Sequence, residues 1–194
     1  MIKNIRLQAL IKIGIGGVLL FSVIWGYFPI PNHMNEYTFL SNAIEGLALI
    51  CSGILLLHKR KHIPTFIDLC LVILAFIMLG ICITNYQIFG FDGPYLFLHV
   101  INPLLLLLHW IFITEKGRIQ SSKHVLAVLV LPALYITFLL IFGRVTGNYI
   151  YPVFDINVLG VFNVSIFICV VGLVFLGVAY ALYFIDKKMG RKQA

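Results

Sequence analysis

Thr38, Ser41, Asn42 and Glu45 fall at i, i+3, i+4 and i+7, a spacing that sets four polar side chains on one helical face over roughly 10 Å of rise. His99 and Asn102 share a face in the same way. Pro103 follows them and cannot donate to the carbonyl of His99, so that turn is expected to be bent or hydrated, beside a cavity. Arg144 closes another apolar stretch, and Thr84, Asn85, Tyr86 and Gln87 close a third. In apolar surroundings such a set can do one of three things. Glu45, His99 and Arg144 could serve as a proton relay or as ligands for a transported solute. A polar pocket among apolar spans could admit an acyl-chain molecule sideways from the bilayer and hold its ester at headgroup depth. The same groups could also lock helices together without any chemistry.

Each residue has an ordinary structural role to set beside these. A Thr within a span usually bonds back to its own helix, as Thr38 could. Glu45, two turns into an apolar stretch, is costly there and calls for a partner or a function, the simplest being a pair with Arg144 or His99. Tyr149 and Tyr151 read as aromatic-belt anchors. His109, Trp110, His124, Asp68 and Glu115 read as interfacial residues at the other ends of their stretches.

The elements that must position these groups are membrane spans. The mean hydropathy is +1.04, and 61% of the 194 residues are hydrophobic against 11% charged, where a soluble domain carries about 25% charged residues. Six apolar stretches cover about 9–28, 38–57, 65–87, 95–114, 124–143 and 158–185, each close to the roughly 20 residues that cross a bilayer. They leave no room for a soluble domain. The expected fold is all-α, a single six-span membrane domain over 1–194. Basic residues precede the first stretch, but only Tyr27-Phe28-Pro29 follows it, with no small-residue cleavage site, so it is expected to remain as a span.

Orientation follows from the basic residues, which stay cytoplasmic during insertion. Of the 14 Lys and Arg, all but Arg144 fall at the N-terminus, the second loop, the fourth loop or the C-terminus. Both termini are therefore expected inside, with the polar set on the extracytoplasmic side. The net charge of +7 then reflects orientation and anionic headgroups rather than nucleic acid, for which no basic patch interleaved with aromatics is present. Cys51, Cys70, Cys82 and Cys169 have no metal-ligand spacing and read as packing residues, so no metal or cofactor is expected. Gly14, Gly16 and Gly17 are expected to make close helix contacts.

The segment from Glu36 to Asn42, His99 ahead of Pro103, and the run Val145-Thr146-Gly147 to Tyr151-Pro152 together resemble the androgen-induced-gene/ADTRP family of six-span membrane threonine hydrolases. The resemblance implies hydrolysis of lipid esters, in that family fatty acid esters of hydroxy fatty acids, in a relative from a bacterial cytoplasmic membrane. It assigns Thr38 as the nucleophile and His99 as its base. It leaves Ser41, Asn42, Glu45, Asn85, Asn102, Arg144, Tyr151 and Asp155 as substrate-binding or supporting residues. Asn42, Asn85 or Asn102 would donate to the oxyanion, and Glu45 or Asp155 would orient the histidine. The chain departs from the family pattern where Pro103 follows His99 at a shorter interval and where Ser41 stands in place of an Asp. Apart from the hydrolase, a carrier and a non-catalytic lipid-binding or scaffold protein remain as readings, the carrier requiring polar groups that continue toward the cytoplasmic side.

Overall fold

The computed structural model describes residues 4–59, 70, 72, 75, 91–114 and 123–191, and every regular element among them is helical. Among the described residues, five helices are long and apolar enough to cross a membrane. They are α1 (Ile5–Tyr27), α2 (Tyr37–Lys59), α3 (Pro94–Phe112), α4 (Ala127–Thr146) and α5 (Ile156–Arg191). The apolar stretch 65–87 lies outside the described residues apart from Cys70, Val72 and Ala75, which are helical. The described chain forms two compact units, one of Met1–Ile119 with Asp186–Ala194, the other of Gln120–Ile185.

In the first unit, Asn4 caps α1 by accepting from the Leu7 N–H at 3.2 Å. Pro29 and Pro31 end that helix, and a short turn over Pro31–His33 returns the chain into α2. With so short a connection α1 and α2 must pack as an antiparallel pair. Small residues let them approach: a Cβ on Gly16 would lie 2.6 Å from the Gly46 carbonyl oxygen, and one on Gly53 would lie 2.8 Å from that of Ala9. Of the three glycines expected at this contact only Gly16 belongs to it, because a Cβ on Gly14 or Gly17 would meet no atom within 4 Å. Gly26 does the same for α3, whose Leu98 and Pro94 it meets closely.

The surfaces are inverted relative to a water-soluble bundle. Phe21, Ile24, Trp25, Leu104, Leu108 and Phe112 are exposed, whereas Lys12, Ser22, Asn42, Glu45, His99 and Asn102 are buried. Lipid is the solvent that this arrangement suits, since an outward polar group would find no partner there.

In the second unit, Pro132 cannot donate to the carbonyl of Val128, and the turn over Ala127–Leu129 tightens to a 3-10 turn just ahead of it. Gly147 ends α4 in the left-handed conformation, φ 76°, with its N–H on the Gly143 carbonyl. Asp155 then caps α5 through bonds from the N–H groups of Asn157 (2.8 Å) and Val158 (3.3 Å). At 36 residues α5 is longer than the expected stretch 158–185 and longer than a bilayer core requires; Gly160, φ 77°, breaks its regularity near the start.

Candidate functional site

The centre of the first unit is a line of amides crossing three helices. Asn42 of α2 donates to the carbonyl of Thr38, one turn earlier, at 2.9 Å, and to the carbonyl of Leu98 in α3 at 3.4 Å. Its Oδ1 accepts from Asn102 Nδ2 at 2.7 Å, and the same Nδ2 donates to Ser22 Oγ of α1 at 2.8 Å. Ser22 passes its own proton to the Leu19 carbonyl at 2.8 Å. The two carbonyls determine which way the Asn42 amide faces, and Asn42 in turn determines Asn102.

Pro103 explains why the Leu98 carbonyl accepts a side chain. Over Phe97–Ile101 the helix widens to a π turn, and the Asn102 N–H bonds to Phe97. In that pattern the carbonyl of Leu98 faces residue 103, which is proline and has no N–H. Asn42 supplies the missing donor from the neighbouring helix. The bend expected at His99 is therefore a wide turn, and a side chain from α2 satisfies it.

Thr38 and His99 are both buried, at 1% and 3% exposure, on the two segments that Asn42 joins. Tyr95 stacks on the His99 ring at 5.8 Å between centroids, and Phe91 meets it edge-on at 6.2 Å. Tyr27 meets Phe39 and Tyr95 edge-on and donates to Glu36 at 3.0 Å, while His33 Nδ1 lies 2.6 Å from the other Glu36 oxygen. An aromatic cover held by a half-buried carboxylate thus lies over the histidine.

The amide line is enclosed by apolar layers. Val23, Tyr27 and Leu98, with Phe39, Ala43 and Tyr95 against them, lie on one side; Leu19, Leu49, Ala75 and Leu106 lie on the other. Glu45 falls between Asn42 and Leu49 along α2, buried, and its Oε1 has no hydrogen-bond partner among the described residues. The structural ion pair expected of it is not made at that oxygen. Asn102 Oδ1, on a fully buried residue, also lacks a partner among the described residues.

Both amides direct their donors elsewhere. Asn42 and Asn102 each use Nδ2 for two hydrogen bonds inside the scaffold, so they hold helices and have none to spare for an oxyanion. Ser41 is buried, with its hydroxyl 3.5 Å from the Thr38 carbonyl. Asn85 lies outside the described residues. The remaining predicted residues belong to the second unit. Arg144 is exposed near the end of α4, Asp155 caps α5, and Tyr151 meets the ring of Phe154 edge-on at 6.4 Å. Thr146 of the resembling run bonds back to the Phe142 carbonyl at 2.8 Å, a helix-ending role.

Several further groups are buried that carry little signal in the sequence. Ser22, the only serine in its stretch, completes the amide line, and its alignment with Leu19 on one helical face was the available signal. Beyond the leucine layer, Gln8, Lys12, Ser52, His109 and Thr114 are buried as well, with Lys12 Nζ donating to Ser52 Oγ at 3.0 Å. The polar interior is therefore not confined to one end of the bundle, and His109 and Trp110, expected at an interface, are buried. Comparisons with protein-family models, curated proteins and solved structures find no match to this chain.

Proposed function

We propose that this protein is an intramembrane lipid ester hydrolase of a bacterial cytoplasmic membrane, with Thr38 as nucleophile and His99 as general base. The observation that carries this reading is the Asn42 amide, which bonds the carbonyl of Thr38 and the carbonyl preceding His99. A hydroxyl and an imidazole are thereby held on adjoining backbone segments in a buried interior. In the reaction His99 takes the proton of the Thr38 hydroxyl as the oxygen attacks the ester carbonyl, and that proton leaves with the alcohol. Water then releases the acyl group. The exposed apolar faces of α1 and α3 give a fatty-acyl ester a lateral route from the bilayer, and the family resemblance points to fatty acid esters of hydroxy fatty acids.

The test is ester hydrolysis by the purified chain. Thr38→Ala and His99→Ala are expected to abolish turnover of fatty esters with the thermal unfolding profile retained, and a fluorophosphonate probe is expected to label Thr38. Equal hydrolysis by wild type and both variants rejects the reading. A second reading, a small-solute carrier, draws on the buried polar groups that continue past the leucine layer to Lys12 and Ser52. Solute uptake into proteoliposomes without covalent labelling would select it.

A further inference from the structure

A hydrolase that passes through an acyl-enzyme needs a second nucleophile. The attacking water must aim a lone pair at the acyl carbon and point its hydrogens at acceptors. Beside the amide line, Glu45 Oε1 and Asn102 Oδ1 are buried acceptors without a donor among the described residues. The orientation of Asn102 is forced, because its Nδ2 is claimed by Ser22 and by an Asn42 whose own amide is set by two carbonyls. Its oxygen must therefore face away from both. Buried acceptors of this kind are ordinarily satisfied by an ordered water with two to four polar partners.

We infer that Glu45 and Asn102 seat the hydrolytic water and that Glu45 is the general base of deacylation; this rests on the hydrolase reading. Thr38, Asn42 and Glu45 share one face of α2, with Thr38 and Glu45 two turns apart, roughly 10 Å of rise. Long side chains on a helix lean toward its N-terminus, which for Glu45 is the direction of Asn42 and Thr38, so the carboxyl is expected nearer to Thr38 than the backbone rise alone would place it. The water oxygen bonds to the acyl carbon as the Glu45 carboxylate takes one of its protons. The bond from the acyl carbon to Thr38 Oγ then breaks, and the same proton passes to Oγ. Fatty acid leaves, and both side chains are restored. His99, stacked by Tyr95 and Phe91, serves the first half of the cycle and Glu45 the second.

The experiment uses the purified full chain in detergent with p-nitrophenyl decanoate, comparing wild type with Glu45→Gln. The glutamine keeps the shape and removes the base. The variant is expected to release one equivalent of p-nitrophenol and then stall, with steady turnover reduced at least about 100-fold. Intact-mass analysis should find a decanoyl group on Thr38, and hydroxylamine, which attacks without a base, should restore turnover. A folded variant that turns over like wild type, or that loses the burst together with turnover, overturns the role of Glu45 while leaving Thr38 and His99 in place. A wild-type chain that never acylates Thr38 removes the hydrolase reading and this inference with it. Should Glu45→Gln fail to fold, Glu45→Asp, which withdraws the carboxylate by one methylene, must show the same accumulation, and its absence is equally decisive.

Discussion

Asn102 Nδ2 lies 2.7 Å from Asn42 Oδ1, and through that bond the helix bearing His99 is joined to the helix bearing Thr38. The bond matters because Asn42 is also the donor to two carbonyls, one of which Pro103 has deprived of a backbone partner. One amide thus closes a defect in α3 and sets the orientation of the next amide.

Asn42→Ala is therefore expected to destabilise the protein more than Ser22→Ala. The first leaves the Leu98 carbonyl without its side-chain donor and one Asn102 amide hydrogen without an acceptor, and should cost about 2–4 kcal/mol; the second removes one acceptor and should cost about 1 kcal/mol. Denaturant unfolding in mixed micelles measures the difference, and equal costs would mean that the amide line is not cooperative.

The contact of α1 with α2 separates three neighbouring glycines. Gly16→Ala places a methyl group against the Gly46 backbone and should destabilise by about 1–3 kcal/mol, whereas Gly14→Ala and Gly17→Ala meet open space and should be neutral or stabilise by up to about 1 kcal/mol. The same unfolding measurement distinguishes them.

Replacing Pro103 by Ala returns an N–H to the position that the wide turn lacks. The helix can then close into regular α turns, which rotates His99 relative to Asn102. Thermal stability is expected to rise while ester hydrolysis falls about 10-fold or more, since a misplacement of the order of 1 Å can cost 100-fold. Higher activity in Pro103→Ala would show that the wide turn does not position the histidine.

Tyr95 supports His99 through its ring face. Tyr95→Phe keeps that face and should retain activity within about twofold, while Tyr95→Leu should lower kcat about 10-fold with folding intact. Steady-state kinetics on the two variants checks both expectations, and equal losses would place the effect in the hydroxyl instead of the stack.

Much of the scaffold was legible in the chain because its signals are local. Long apolar runs identify spans without reference to any neighbour, and the i, i+3, i+4, i+7 spacing by itself brings Thr38, Ser41, Asn42 and Glu45 to one face. Pro103 announced an irregular turn at His99 for the same reason, since a missing N–H is a property of one residue. The buried Lys12 and His109 were not legible, because a basic residue near the end of an apolar run reads as an interfacial flank until a second helix covers it.

The tertiary structure alone decided how the polar groups are used. Composition and spacing established that α2 carries an amide one turn beyond Thr38, yet whether Asn42 donates to substrate or to the Leu98 carbonyl depends on which helix lies beside it. Hydrogen bonding is short-ranged and directional, so a donor's role is set by the atom within about 3 Å, and that atom belongs to another part of the chain. Ser22 and Asn102, 80 residues apart, became partners for this reason, and Asn102 Oδ1 and Glu45 Oε1 were left as acceptors without a donor among the described residues.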